Sequence, residues 1–183
     1  MNIYHKQKKY IQNHPVSTDI FSEIKAKNNL KNSNHIIIIP NVCSKNINLS
    51  CRFSRELYKV FPIAEADASV NFTNKLGTVS FIESQINPAS KSKIIVANML
   101  CQSDNAKNSR SIHYGALVKC MYSIKYYAED LYKNYPDFKV EIHSAKIGVG
   151  VQGANWNFIN DLMLDIWPEI KIQIYQQDNT IQC

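Results

Sequence analysis

Three of the five glycines lie within six residues, at Gly148, Gly150 and Gly153. They follow an apolar run and precede an amphipathic stretch that begins at Trp156. A strand that passes through a glycine-rich turn into a helix presents bare backbone N–H groups, which suit a phosphate. The segment lacks the Lys-Ser/Thr pair of a P-loop and is too short for the dinucleotide fingerprint. The pattern therefore predicts a site for a phosphorylated small molecule, and the alternative is a turn that only needs positive φ.

Composition limits the class of protein. The 183 residues, 45% of them hydrophobic, predict a single domain over residues 1–183 with a sizeable core. The five cysteines form no CxxC pair and have no histidine at zinc-ligand spacing, so we expect neither a metal site nor another cofactor. Cys120 is interpreted as a core residue and the other cysteines as loop or surface thiols. With no signal peptide or long apolar span, we expect a cytoplasmic protein, in the host cytoplasm if the source is viral.

The net charge of +6 and the pI near 9.0 would suit a polyanionic partner. The lysines are scattered, however, apart from two small clusters before residue 32. This distribution predicts an electropositive face that attracts anionic small molecules rather than a nucleic-acid groove. We expect a monomer with no membrane contact.

The predicted elements alternate between strands and helices. Strands are predicted over residues 3–12, 35–40, 77–82, 94–99, 138–145 and 170–175. Helices are predicted from Ser17 or Asp19 through Ile24, over 53–61 until Pro62 ends the helix, and over 111–132 and 156–166. This order predicts an α/β fold, a three-layer α/β/α sandwich around a mixed, mostly parallel sheet. Because ligands bind at the carboxyl ends of parallel strands, the loops 41–50, 100–110 and 146–155 should form one site.

Three segments carry a resemblance to a known family. Ala145 to Trp156 resembles the second ligand loop of macrodomains, which typically reads proline-x-isoleucine-glycine-cysteine-glycine-leucine-alanine-glycine-glycine-aspartate-tryptophan. Residues 96–102 with 111–117 are similar to a strand and helix start of the phage and yeast-like subgroup, which acts on ADP-ribose-1''-phosphate. Thr18-Asp19-Ile20 is similar to the glycine-aspartate-isoleucine motif of the family. The resemblance covers about residues 3–176.

The resemblance implies a cleft for ADP-ribose. Asp19 would accept a hydrogen bond from the adenine amino group while Ile20 packs on the base, although Asp19 could equally cap its helix. Tyr175 would stack on adenine, with core packing as the alternative, and Gln102 would reach a ribose hydroxyl. The diphosphate and distal ribose would be wrapped by the backbone N–H groups of Gly148, Val149, Gly150, Val151, Gln152 and Gly153.

The first ligand loop departs from the family pattern. Active macrodomains carry valine-asparagine and then several glycines there, whereas residues 43–52 contain no glycine. Ser44 takes the asparagine position, Asn155 the aspartate position of the second loop, and Gln152 the place of a catalytic aspartate in another subgroup. An amide cannot act as a general base, so the hydrolytic machinery is weakened.

The remaining candidates for catalysis are Ser44, Asn155 and His113. His113 is chosen among the histidines because it lies at the start of the long helix beside a predicted site loop, and a structural histidine is the alternative. Two hypotheses follow. The first is a module that binds ADP-ribose or a related nucleotide with weak or absent catalysis. The second is a hydrolase of the same ligand class, an ADP-ribose-1''-phosphate phosphatase or an ADP-ribosyl hydrolase.

Overall fold

A computed structural model describes residues 11–14, 19–29, 34–44, 52–70, 75–84, 91–103, 111–148 and 153–175. Within these ranges the chain forms six strands and five helices. The strands are β1 (Ile11–His14), β2 (His35–Ser44), β3 (Thr78–Ser84), β4 (Lys93–Gln102), β5 (Lys139–Ala145) and β6 (Lys171–Tyr175). The helices are α1 (Ile20–Asn29), α2 (Arg52–Val60), α3 (Pro62–Val70), α4 (Tyr114–Asn134) and α5 (Trp156–Ile166).

The six strands form one sheet in the order β1-β6-β5-β2-β4-β3. All neighbouring strands run parallel except β3, which is antiparallel to β4 at one edge. Side chains of α1, α2 and α3 share a core with one face of the sheet, and those of α4 and α5 share a core with the other face. The predicted three-layer α/β/α sandwich with a mixed, mostly parallel sheet is confirmed.

The apolar run of β2 explains why this strand lies inside the sheet. Ile36, Ile37, Ile38 and Ile39 are all fully buried. Because side chains alternate along a strand, Ile36 and Ile38 pack toward α4, whereas Ile37 and Ile39 pack toward α1 and α2. Burying each isoleucine contributes about 1.5–3 kcal/mol relative to an exposed one. A strand covered on both faces needs such a continuous apolar run rather than an alternating one.

Three predicted boundaries are wrong. The loop predicted from residue 41 begins later, because β2 continues to Ser44 and pairs with β4 from Ile36 onward. The loop predicted from residue 100 also begins later, because β4 continues to Gln102. Pro62, predicted only to end a helix, also begins α3, since the first helical position needs no N–H and favours the fixed φ of proline. Of the strand predicted over 3–12, residues 3–10 lie outside the described residues, and β1 extends to His14.

The longer strands also change the placement of two cysteines. Cys43 on β2 and Cys101 on β4 are buried, as Cys120 on α4 is, so their prediction as loop or surface thiols is wrong. The hydrogen bond with Cys120 contributes most to raising the pKa of the Cys101 thiol, and burial raises it further. Cys51 and Cys183 lie outside the described residues.

Candidate functional site

The parallel strands bring their last residues to one edge of the sheet, called here the carboxyl edge. Ser44, Gln102, Ala145 and Tyr175 end β2, β4, β5 and β6 there. Ser44 pairs with Gln102 directly after a register shift at the end of β2. Gln102 in turn forms a bridge with Ile112, which leads into α4. The carboxyl edge therefore brings together the strand ends from which the predicted site loops start, and ligands of open α/β sheets bind at such an edge.

The segment 146–155 between β5 and α5 is called here the glycine loop, and a backbone hydrogen bond joins its two ends. Gly148 and Gly153 have positive φ values of 71° and 66°, which residues other than glycine rarely adopt. The N–H of Ala154 donates to the Gly148 carbonyl at 2.9 Å, so the two ends of the loop meet. A Cβ on Gly148 would lie 2.7 Å from the Ala154 Cβ and 3.0 Å from the Ile112 Cδ1. The predicted contributions of Val149, Gly150, Val151 and Gln152 lie outside the described residues and stay predictions.

The base of the glycine loop is attached to its surroundings by side chains as well. The ammonium of Lys146 lies 5.7 Å from the centre of the Trp156 ring across the loop. The hydroxyl of Tyr114, the first residue of α4, accepts the Asn155 N–H at 2.8 Å. The Asn155 side chain caps α5 by accepting the Phe158 N–H at 3.3 Å. Asn155 is therefore an N-cap whose carbonyl oxygen is already engaged, and the positive end of the α5 dipole faces the loop.

Asp19 directly precedes α1 and is exposed. Its Oδ1 accepts the Phe21 N–H at 3.3 Å, and its Oδ2 accepts the Ser22 N–H at 3.0 Å and the Ser22 hydroxyl at 2.8 Å. This is the geometry of an N-cap. Each carboxylate oxygen has more than one lone pair, so the same group can still accept a hydrogen bond from a ligand amine.

Ile20 and Tyr175 differ from the ligand-facing placement that the resemblance implies. Each has 1% of its surface exposed, and both belong to the core between α1 and the sheet. Ile20 faces inward because Ile20 and Ile24 lie one helical turn apart on the side of α1 that covers the sheet, and Tyr175 belongs to the same buried cluster. A ring buried to this extent offers no open face to a base. Their predicted contacts with adenine therefore rest on the resemblance alone.

A buried network of hydrogen-bonded polar side chains lies under α1, and the sequence did not predict it. Glu141 Oε2 accepts Lys27 Nζ at 2.7 Å and lies 3.1 Å from His143 Nε2, while Glu141 Oε1 accepts Lys171 Nζ at 3.0 Å. His143 Nδ1 lies 2.9 Å from the Tyr175 hydroxyl. Two acceptors would repel at 3.1 Å, so His143 Nε2 carries the proton and Tyr175 donates to Nδ1. The only hint in the sequence is that Glu141 and His143 alternate with the apolar residues Val140 and Ile142.

The charges of the side chains in this network follow from their contacts. Burial alone raises the pKa of Glu141, but hydrogen bonds from His143, Lys27 and Lys171 outweigh burial and hold that pKa well below its usual range. Burial lowers the pKa of His143, and the hydrogen bond to Glu141 offsets only part of that effect. Burial also raises the pKa of the Tyr175 hydroxyl. An ionised glutamate between two ammonium groups, with a neutral imidazole, thus attaches α1 to the sheet.

A second buried network supports the end of β2. The Asn41 amide donates to the Asn98 Oδ1 at 2.8 Å and to the Tyr58 hydroxyl at 3.0 Å, and its oxygen accepts the Ser54 hydroxyl at 2.7 Å. Burial raises the pKa of Tyr58, and the neighbouring Cys43 thiol adds to this. These contacts connect β2 and β4 to α2. Side-chain hydrogen bonds thus hold this strand end.

The three candidates for catalysis lie in different surroundings. Ser44 is buried, with 7% of its surface exposed, and Gln102 beside it has 9% exposed. His113 is exposed at the N-cap of α4, makes no capping hydrogen bond through its side chain, and borders an open depression of about 370 Å³ with Gly115 and Lys119. Ser44 pairs with Gln102, Gln102 bridges to Ile112 next to His113, and Tyr114 on the other side of His113 contacts Asn155. Of these, His113 and Asn155 are exposed to solvent.

The described residues contain neither a cluster of metal ligands nor a helix that could span a membrane. No three histidine, cysteine, aspartate or glutamate side chains of these residues lie close enough to share a metal ion. None of the helices within the described ranges combines the length and the hydropathy that a bilayer span requires.

Comparison with known proteins identifies the fold. No protein-family model matches the sequence, and no curated protein is detectably similar to it in sequence. Among solved structures, a protein of unknown function from Bacteroides thetaiotaomicron is similar with a TM-score of 0.67, 19% identity, and coverage of 91% of this chain and 97% of that chain. A macrodomain protein from Streptomyces coelicolor has a TM-score of 0.58, 20% identity, and coverage of 79% and 90%. The macrodomain of Thermus aquaticus DarG has a TM-score of 0.58, 8% identity, and coverage of 92% and 99%. The fold of this chain is therefore the macrodomain fold.

Proposed function

We propose that this protein binds ADP-ribose or a related ADP-ribose-containing nucleotide at the carboxyl edge, with weak or absent catalysis. The observation that carries the proposal is the closed glycine loop between β5 and α5, with positive φ at Gly148 and Gly153, in a macrodomain fold. Such a loop presents backbone N–H groups and a helix N-terminus to a diphosphate. The resemblance of this loop to the second ligand loop of macrodomains supplies the ligand class.

The engaged state of the candidate catalytic groups favours binding over hydrolysis. The Ser44 hydroxyl is buried, and the Asn155 carbonyl oxygen accepts a backbone N–H of α5. Neither group can take a proton from water as a carboxylate base would. His113 is the remaining exposed acid–base group among the three. A phosphatase or ADP-ribosyl hydrolase of the same ligand class would therefore have to depend mainly on His113.

The test is a calorimetric titration of the purified chain with ADP-ribose, ADP-ribose-1''-phosphate and AMP. Phosphorus NMR of the same samples measures any turnover. We expect saturable binding of ADP-ribose without release of inorganic phosphate from the 1''-phosphate. Absence of binding to both ADP-ribose compounds would refute the proposal. Phosphate release that His113→Gln abolishes would establish the phosphatase instead.

Asp19 offers a matched pair of variants. Asp19→Ala removes both the cap and the carboxylate, and loss of the cap should lower the stability of the protein by about 1 kcal/mol. Asp19→Ser keeps a capping oxygen but removes the charged acceptor, so α1 should remain stable. Because hydrogen bonds to charged groups contribute roughly 1.5–3 kcal/mol, we expect Asp19→Ser to weaken ADP-ribose binding by about ten-fold or more. Unchanged affinity in Asp19→Ser would exclude Asp19 as the adenine acceptor.

A further inference from the structure

The glycine loop ends at a residue that another helix holds in place. The backbone N–H of Asn155 donates to the Tyr114 hydroxyl at 2.8 Å, although the two residues are 41 positions apart. The Tyr114 ring also packs against Phe158 on α5, with ring centres 4.7 Å apart and planes inclined by 57°. The start of α4 and the end of the glycine loop therefore meet through one side chain.

Tyr114 is itself firmly positioned. The preceding residue, His113, donates its backbone N–H to the Cys101 carbonyl at 2.9 Å. The Ser103 N–H donates to the Ser111 carbonyl at 2.9 Å, and Ile112 is fully buried. The segment that leads into α4 is thus attached to the end of β4 over several residues. A phenol carried by this segment is a fixed point in the fold.

A loop rich in glycine needs such fixed points. Glycine loses more backbone entropy on ordering than any other residue, so a glycine loop that must order around a ligand reduces the binding free energy. Contacts that hold the loop ends in the ligand-free protein lower this cost. The loop start is fixed by the crowded turn at Gly148, and Asn155 at its end is fixed from outside by Tyr114.

We propose that Tyr114 is a positioning residue for the end of the glycine loop and the start of α5, which it holds in place for a diphosphate through the Asn155 N–H. The proposal rests on the ADP-ribose function above for its ligand. The phenol does not touch the ligand. It sets the direction in which α5 and the last residues of the loop present their N–H groups. Nothing in the sequence pattern distinguishes this tyrosine from the other tyrosines of α4.

The experiment compares Tyr114→Phe with Tyr126→Phe. Tyr114→Phe deletes the hydroxyl and keeps the ring that packs on Phe158, so the fold should survive. Tyr126 lies on the same helix with 58% of its surface exposed, and its variant controls for loss of a tyrosine hydroxyl. Hydrogen exchange of the Asn155 amide in the ligand-free protein reports the contact itself. Calorimetry with ADP-ribose reports its effect on binding.

We expect Tyr114→Phe to raise the exchange rate of the Asn155 amide and weaken ADP-ribose binding by about five-fold each, as for one ordinary hydrogen bond. Tyr126→Phe should change neither quantity. An unchanged exchange rate in Tyr114→Phe would overturn the inference, whatever the ligand. A raised rate with unchanged ADP-ribose affinity would also overturn it, because the contact would then not prepare the loop. If the unmodified protein binds no ADP-ribose, the proposed function fails, and the exchange measurement still decides whether Tyr114 holds the loop.

Discussion

Replacing Gly148 by alanine tests whether the turn after β5 depends on glycine. Two costs add in this variant. A residue with a Cβ at φ of 71° loses about 1–2 kcal/mol relative to its preferred conformations. The new Cβ would also lie 2.7 Å from the Ala154 Cβ, which has no flexible end that could move away, and overpacking of this kind costs about 1–3 kcal/mol. The free energy of unfolding should therefore fall by about 2–5 kcal/mol.

Chemical denaturation measures this loss directly, and the melting temperature of a domain of this size should fall by about 4–15 °C. Gly115→Ala is the matched control. A Cβ there meets nothing within 4 Å, and the residue lies in the first turn of α4. Alanine is the better helix former, so this variant should be neutral or gain at most about 1 kcal/mol.

The two variants together can refute the reasoning. If Gly148→Ala loses less than about 0.5 kcal/mol, the turn does not require positive φ and the loop is not closed as described. If both variants lose stability equally, the loss reflects general sensitivity to any added methyl group. A folded Gly148→Ala protein that binds ADP-ribose with unchanged affinity would show that the shape of this turn does not serve the ligand.

Three other variants or conditions test the interior. Stability should fall as the pH drops below 6.5, the usual pKa of histidine, because the unfolded chain takes up a proton that buried His143 does not. It should fall further below 4.5, because Glu141 takes up a proton in the unfolded chain while its lowered pKa keeps it ionised in the folded protein. Denaturation from pH 8 to pH 4 measures this, and a flat profile between pH 7 and pH 5 would contradict it. Asn98→Ala removes two buried hydrogen bonds, one from the Asn41 amide and one to the Ala64 carbonyl of α3. It should cost about 2–5 kcal/mol in chemical denaturation, and a loss under about 1 kcal/mol would argue against the network. Trp167→Phe removes an indole N–H that donates to the backbone of α4, together with buried surface, and should lower stability by about 1–3 kcal/mol by the same measurement.

The elements that sequence reasoning located well are those in which one local pattern decides the structure. The isoleucine run of β2 predicts a strand buried on both faces, and the structure buries all four residues 36–39. The helix predicted over 111–132 is present as α4, and Cys120, predicted to be a core residue, is buried on it. The helix 156–166 has the bounds that were predicted. Periodicity of hydrophobic residues determines such elements almost alone.

The features that sequence reasoning missed depend on distant partners. The role of Pro62 was ambiguous because proline both ends one helix and begins the next. β2 extends beyond Pro40 because Asn41 finds hydrogen-bonding partners on β4 and α2, which no local pattern reveals. The buried network that connects Glu141, His143 and Tyr175 likewise requires two strands and a helix to be adjacent. Buried polar networks are therefore the part of this fold least accessible from sequence.

The candidate site residues share one property that explains why sequence alone cannot assign their roles. Asp19, His113 and Asn155 occupy the positions just before α1, α4 and α5. Helix starts gather unpaired N–H groups and the positive end of the dipole, which favour capping residues and anionic ligands alike. A loss of binding in an alanine variant therefore mixes two effects. Only substitutions within the set of capping residues, such as Asp19→Ser, keep the helix start and separate recognition of a ligand from stability of the fold.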